Sequence, residues 1–138
     1  MKIAICHSMQ FSEQAIQAAD FFNKLGHEAY PSQTSTSYIG LSPEEQETLK
    51  LDHKYNHDAI REHYDVIANC DVVLILNIEK HNIPGYVGGN AFLEMGFAYI
   101  LKKPIYLLND IPAIPYYQTE IIAMKPTILH GDLSRLLQ

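Results

Sequence analysis

The stretch YVGGNAFLEMGFAYILKKPIYLLN, residues 86–109, decides the fold, because it predicts a glycine turn, an apolar helix and a buried strand in succession. The helical part is apolar almost all round, which indicates burial on several sides. The segment PIYLLN (104–109) is a continuous apolar run of strand length. Helices that lead directly into buried strands are typical of α/β folds with a parallel sheet.

Four further apolar segments surround this unit and read as strands. They are KIAICHS (2–8), EAYPS (28–32), DVVLILN (71–77) and PTILH (126–130). The run at 71–77 is β-branched and leucine-rich, so we expect it to be central in the sheet. Helices are expected over 12–28, from about 56 to 69 and over 117–125, with a terminal helical turn at 131–137. The sequence therefore predicts one α/β domain over residues 1–138 with a five-stranded parallel sheet.

The segment 33–55 is polar and lacks strand periodicity. The motif SPEE inside it predicts a helix start, with Ser42 as the N-cap, Pro43 in the first turn and Glu45 at the capping-box position. Gly26 stands where the first helix would end with a glycine cap.

Composition and charge narrow the class of protein. The chain has 138 residues, 47% hydrophobic and 19% charged, which is typical of a globular domain. Its formal charge of −6 argues against nucleic acid or an anionic membrane as the main partner, but a helix N-terminus can still hold a small phosphate ligand. The two cysteines, Cys6 and Cys70, are expected to be reduced core residues. No signal peptide or membrane-length apolar run is visible, so a cytoplasmic location is expected.

Polar residues follow several of the predicted strands, where ligands of parallel α/β sheets bind. We expect a small-molecule site at this edge, with amides of the glycine turn and residues after the strands as binding groups. The candidate binding residues are His7, Ser8, Met9, Asn77, Gly88, Gly89, Asn90, Asn109, Tyr116 and Tyr117. A plain N-cap role for Ser8 and aromatic packing for the two tyrosines are the structural alternatives.

Glu94 is the one carboxylate in the apolar helix of 86–109. It follows Gly89 by five residues, so the positive end of the helix dipole can partly stabilise its charge. The alternative role is a solvated or capping glutamate. A carboxylate on a buried helix near the ligand edge is, however, a candidate functional group.

The histidines do not predict a metal site. His53, His57 and His63 are spaced by four and six residues, which does not place all three on one helical face. No cysteine or acid completes a ligand set at a useful spacing, so we expect neither a metal nor another cofactor.

The chain resembles the nucleoside 2-deoxyribosyltransferase-like family in two segments. KIAICHSMQFSEQAIQAADFFNKLGHEAYPS is similar to the family's opening strand, turn and helix. NCDVVLILN, a glycine turn and FLEMGFAYILKKPIYLLN resemble its second signature, in which a glutamate stands on the helix before a buried strand. The resemblance covers most of the chain in order, apart from residues 33–55.

This resemblance implies a flavodoxin/Rossmann-like three-layer fold, usually in a homo-oligomer (dimer or higher). It also implies an enzyme that acts on the N-glycosidic bond of a (deoxy)nucleoside or its 5′-monophosphate. The glutamate that matches Glu94 would attack the sugar's anomeric carbon and form a glycosyl ester, which water or a second base then resolves. His63 and Gly88 stand where the family often has aspartates, so the general acid is open between Asp65, His63 and Asp71. A polar residue from a neighbouring subunit can complete such sites.

Two other classes of function stay open at this stage. One is a non-catalytic nucleotide-binding or sensing module on the same fold. The other is a structural or assembly protein in which Glu94 is only a buried cap or ion-pair partner.

Overall fold

The computed structural model of the chain describes residues 1–32 and 35–138, and its centre is a five-stranded, all-parallel sheet. The strands are β1 (Lys2–Cys6), β2 (Glu28–Tyr30), β3 (Val72–Ile75), β4 (Ile105–Leu107) and β5 (Thr127–Ile128). Their order in the sheet is β2-β1-β3-β4-β5. All five predicted strands and the central position of 71–77 are therefore confirmed, although each strand is shorter than its apolar segment.

Helices cover both faces of the sheet, which confirms the three-layer α/β architecture. They are α1 (Ser12–Lys24), α2 (Ser35–Tyr38), α3 (Pro43–Asn56), α4 (Ala59–Ala68), α5 (Gly89–Ile100) and α6 (Gln118–Ala123), with 3₁₀ turns at Met9–Phe11 and Leu133–Leu137. Side chains of β3 alternate between two cores. Val73 and Ile75 belong to the core of α5, and Leu74 belongs to the core that contains Phe22 of α1.

Both predicted helix ends are observed. Ser42 accepts a hydrogen bond from the Glu45 amide and the Glu45 side chain accepts one from the Ser42 amide, which forms a capping box at the start of α3. Gly26 has a φ of +87° after α1 and its amide donates to the Asn23 carbonyl, as expected for a glycine after a helix. The first two residues of the predicted polar segment, Gln33 and Thr34, lie outside the described residues.

The helix expected from about 56 to 69 begins three residues later in the structure, after a break that separates it from α3. α3 continues to Asn56 and α4 begins at Ala59, with Asp58 between them at a φ of +50°. A residue with positive φ cannot continue a right-handed helix, and it separates the two helices. None of the helices in the described ranges is long and apolar enough to cross a membrane.

The strand order locates the edge where a ligand is expected. β2 pairs with one side of β1 and β3 with the other, so the strand order reverses at β1. At such a reversal a crevice forms between the carboxyl ends of the two strands, here β1 and β3. β1 ends at Cys6, immediately before His7 and Ser8. α5 starts beyond the carboxyl end of β3 and carries Glu94 in its second turn.

Candidate active site

Glu94 lies at the border between the buried side of α5 and the side that lines a cavity. On the buried side Ala91, Met95 and Ala98 pack in the core. Residues 90, 93, 94 and 97, at helical spacings of three, one and three, line a cavity instead. The Glu94 side chain therefore borders a cleft, and it is 13% exposed.

His63 of α4 is the charged partner of Glu94. Its Nδ1 lies 3.0 Å from Glu94 Oε2, and the two side chains are 15% and 13% exposed. The two atoms are at ion-pair distance without the alignment of a hydrogen bond, and His63 Nε2 also has no hydrogen-bond partner within the described part of the chain. Burial alone would lower the pKa of His63, but the adjacent Glu94 carboxylate outweighs it and holds that pKa above its usual value.

Cys6 forms the floor beneath this pair. It ends β1 on the same face as Ala4, is fully buried, and its Sγ lies within 4.8 Å of a Glu94 carboxylate oxygen. Burial, and then the charge of Glu94, raise the pKa of the Cys6 thiol well above its usual value. The thiol is therefore protonated at neutral pH, and a protonated thiol donates a weak hydrogen bond.

Cys6, His63 and Glu94 also offer a possible set of metal ligands. One ligand atom from each lies within 4.8 Å of the other two, and they form the one such group of three found among the described residues. Sulfur, imidazole and carboxylate ligands suit zinc. The sequence prediction of no metal did not consider this group, because residues 6, 63 and 94 come from three separate elements.

The cavity in front of Glu94, which we call the Glu94 pocket, is small, with a volume of about 60 Å³. α3 and α4 form its outer wall opposite α5. Its lining residues are Met9, Ser32, Tyr38, Lys50, His53, Lys54, Ala59, Ile60, His63, Asn90, Leu93, Glu94 and Phe97. Leu93 and Phe97 supply apolar surface beside the carboxylate, and ligand pockets commonly combine such surface with a few polar groups.

A second cavity of about 310 Å³, the lysine pocket, adjoins the first. Its lining residues are His7, Ser8, Met9, Lys50, Lys54, Lys80, His81, Tyr86, Gly88, Gly89, Asn90 and Ala91. The two pockets share Met9, Lys50, Lys54 and Asn90, so they form one continuous cleft. The cleft runs from the Glu94–His63 pair to the N-terminus of α5.

Two asparagines fix the loop that leads to α5. Asn77 is fully buried, and its Nδ2 donates to the backbone oxygens of Asn109 at 2.9 Å, Asp110 at 3.1 Å and Gly85 at 3.3 Å. In return the Asn109 amide donates to Asn77 Oδ1 and Asn109 Nδ2 donates to the Asn77 carbonyl. Neither residue lines the cleft, so the structure places both in the support of the loop.

The predicted binding residues at the turns line the cleft. They are His7, Ser8, Met9, Gly88, Gly89 and Asn90. Ser8 precedes the 3₁₀ turn but makes no side-chain cap, and its Oγ accepts a hydrogen bond from Lys80 Nζ at 2.9 Å. His7 is buried and its Nδ1 lies 2.9 Å from the Ser8 carbonyl oxygen. Burial lowers the pKa of His7, so this ring is neutral at neutral pH.

Of the three residues proposed for the general acid, the structure brings only His63 to Glu94. Asp71 precedes β3, and its carboxylate accepts a hydrogen bond from the Lys2 amide at the opposite end of the sheet. Asp65 is exposed beside Lys2 and Asn69, on a different surface of α4. Asp65 is two residues from His63 on α4 and so points to a different side of that helix, while Asp71 lies beyond the end of α4.

The two tyrosines after the proline loop do not line the cleft. Tyr117 stacks on Phe92 with the ring centroids 4.4 Å apart, and its hydroxyl donates to the Val87 carbonyl at 2.5 Å. This contact packs α6 against the start of α5. Tyr116 is 89% exposed.

Sequence reasoning did not identify Cys6 as a contact of Glu94, nor the three lysines of the second pocket. The period-two alternation of β1 places Cys6 on the same face as Ala4, and this signal was available. The spacing of Lys50 and Lys54 puts them one helical turn apart, but nothing in the sequence shows that α3 lies beside α5.

No family model matches the chain, and no curated protein matches its sequence. Among solved structures, the chain is similar to a 2-deoxyribosyltransferase from Bacillus psychrosaccharolyticus, with 16% identity and a TM-score of 0.48 over 78% of this chain and 71% of that one. It is also similar to the CMP N-glycosidase BcmB from Clostridium botulinum, with 17% identity and a TM-score of 0.49 over 99% of this chain and 98% of that one.

Proposed function

We propose that the chain is an enzyme that cleaves or transfers at the N-glycosidic bond of a (deoxy)nucleoside or its 5′-monophosphate. The observation that carries this proposal is the arrangement of Glu94. Its carboxylate faces a cleft at the ligand edge of an α/β sheet, and its Oε2 is buried, paired with His63 and without a hydrogen-bond partner among the described residues. A partly desolvated but ionised carboxylate is what a glycosyl-accepting nucleophile requires.

The first chemical step is displacement at the anomeric carbon. A Glu94 oxygen forms a bond to C1′, the C1′–N bond breaks, and its electron pair leaves with the base. The departing base nitrogen takes up a proton, and His63 is the described cleft residue that holds one beside Glu94. We assign His63 this role of general acid, because a raised imidazole pKa keeps the proton available near neutral pH.

The second step releases the sugar from Glu94. Water, or the nitrogen of a second base, forms a bond to C1′ while the ester C1′–O bond breaks and Glu94 regains its charge. The incoming nucleophile loses a proton to the group that served as the acid in the first step. Hydrolysis and transfer share this enzyme chemistry and differ only in the acceptor.

The direct test is to incubate the protein with a panel of nucleosides and 5′-monophosphates and to measure free base by chromatography. We expect release by the native chain and a loss of about 10⁴-fold in Glu94→Gln, comparable to the loss of a catalytic nucleophile elsewhere. Acid quenching followed by mass spectrometry should detect a sugar-sized adduct on the peptide that contains Glu94. Unchanged base release by Glu94→Gln would refute the assignment.

A non-catalytic nucleotide-binding module is the second candidate function. The positions of Asp65 and Asp71 favour it, since neither carboxylate reaches the cleft. Calorimetry would then detect binding of a nucleotide by the native chain with no base released over the same period. A structural role for Glu94 would instead give neither binding nor turnover, and Glu94→Gln would lower stability.

We further propose that the chain acts as a cytoplasmic homo-oligomer. In support, large apolar side chains are exposed on α5 and α6, where Ile100 is 78%, Tyr99 52% and Ile122 52% exposed. Large exposed apolar groups are common at subunit contacts. Light scattering during size-exclusion chromatography would measure the mass, and a monomer at micromolar concentration would contradict this part.

A further inference from the structure

Three lysines converge on one end of the cleft although the chain as a whole is acidic. Lys50 and Lys54 project from consecutive turns of α3, and Lys80 lies in the loop after β3. All three are partly buried, and they line the same pocket. The chain has a formal charge of −6, so this cluster is a positively charged region on an acidic protein.

The positive charges of this cluster are only partly neutralised within the protein. Lys50 has one ion pair, with Glu47 at 2.5 Å, and Lys80 donates to the neutral Ser8 hydroxyl at 2.9 Å. Lys54 has no hydrogen bond or ion pair in the described part of the chain. Burial, and then repulsion from Lys50, lower the pKa of both Lys54 and Lys80. An anion bound between them would relieve this repulsion.

The opposite wall of the lysine pocket supplies uncharged donors for an anion. It consists of Gly88, Gly89 and Asn90, at the N-terminus of the twelve-residue helix α5. The first amides of a helix have no partner inside the helix and carry its positive dipole end. The Gly89 position is open, since a Cβ there would meet nothing within 4 Å. A phosphate could approach this backbone closely.

We propose that Lys50, Lys54 and Lys80, with the Ser8 hydroxyl and the first amides of α5, bind a phosphate group of the substrate. This inference rests on the proposed function and makes it more specific: the substrate is a nucleoside 5′-monophosphate, and an uncharged nucleoside is a poor one. The phosphate lies in the lysine pocket and the sugar reaches the Glu94 pocket. Lys54 borders both pockets, so it links phosphate binding to the position of the anomeric carbon.

The decisive experiment compares each nucleoside with its own 5′-monophosphate in the base-release assay. We expect the monophosphate to have at least about a tenfold higher kcat/KM, because several charge-assisted contacts are lost without phosphate. Lys54→Ala should lower kcat/KM for the monophosphate by about tenfold to a hundredfold, mainly through KM, and lower the value for the nucleoside much less. Lys54→Arg should retain most of the native kcat/KM for the monophosphate, because it keeps the positive charge. The matched control is Lys24→Ala, which removes an exposed lysine at the end of α1.

A binding measurement separates this inference from the proposed function. Inorganic phosphate and a nucleoside 5′-monophosphate are titrated into Glu94→Gln by calorimetry at low and high salt. Binding that weakens with salt and in Lys54→Ala supports the phosphate site, even if no base is ever released. Equal turnover of nucleosides and monophosphates, with no effect of Lys54→Ala or Lys80→Ala, would overturn the phosphate site and leave the N-glycosidase proposal intact.

Discussion

At the scale of single residues, the pairing of Glu94 with His63 explains how a carboxylate is retained in an apolar helix. An unpaired buried charge is strongly unfavourable, and the His63 imidazole, whose Nδ1 lies 3.0 Å from Glu94 Oε2, compensates the carboxylate when it is protonated. The Cys6 thiol lies within 4.8 Å of the same carboxylate. Cys6, His63 and Glu94 come from three different elements, so they meet only in the folded chain.

We expect His63→Gln to lower base release by about a hundredfold or more, because the proton donor to the leaving base is lost. Glutamine keeps much of the volume and cannot carry a positive charge. His57→Gln is a suitable control, since His57 is an exposed histidine beyond the end of α3. Chromatographic rates for the three proteins on one substrate would decide the point. Equal rates for His63→Gln and the native chain would assign the acid elsewhere.

The same pair makes stability depend on pH in a defined direction. The pKa of His63 is held above its ordinary value of 6.5 in the folded chain, so folding favours its protonated form. The stabilisation is fully present below the unfolded pKa and is lost as the pH rises through the folded pKa. Urea unfolding of the native chain and His63→Gln, from about pH 6 to about pH 9, should give a stability difference that shrinks with rising pH. A constant difference would contradict the charged pair.

At the scale of elements, the loop between β3 and α5 is held by close contacts with the backbone, and these contacts restrict the residue at position 85. Gly85 has a φ of +67°, and a Cβ there would lie 2.4 Å from the Asp110 carbonyl oxygen and 3.3 Å from Asn77 Nδ2. The asparagine contacts that fix the N-terminus of α5 thus require a glycine at this point.

Gly85→Ala should therefore lower the free energy of unfolding by roughly 2 kcal/mol or more, through steric overlap and a strained backbone. The matched control is Gly96→Ala inside α5, where a Cβ meets nothing within 4 Å and the backbone is helical. That control should be neutral or stabilising by up to about 1 kcal/mol. Chemical denaturation of both variants measures the difference, and equal stabilities would contradict the close contact between Gly85 and Asp110.

At the scale of the whole molecule, the sequence was most informative where burial is periodic. Apolar runs located all five strands, and the apolar pattern of residues 91–101 located α5, because burial on a sheet restricts residue type at every turn. The capping box of Ser42 and Glu45 located the start of α3. The resemblance then singled out Glu94.

The arrangement of α3 and α4 around Glu94 could not be predicted in the same way. α3 has no buried residue, so its sequence carries no apolar face that would indicate its neighbour. His63 and Asp65 could not be told apart as candidates for the acid, because spacing alone does not say which side of α4 faces α5. The lysine pocket was missed for the same reason, although Lys50 and Lys54 are visibly one turn apart.

The absence of buried residues in α3 has a consequence for motion. A helix that buries little surface opens locally at a small free energy, so its amides should exchange with deuterium sooner than those of α5. Yet α3 carries two of the three lysines that would hold the phosphate. Hydrogen-exchange mass spectrometry should therefore show residues 43–56 slowed by a bound 5′-monophosphate, while the sheet stays as it was. In that case the ligand would stabilise α3, the helix that forms part of its own binding pocket.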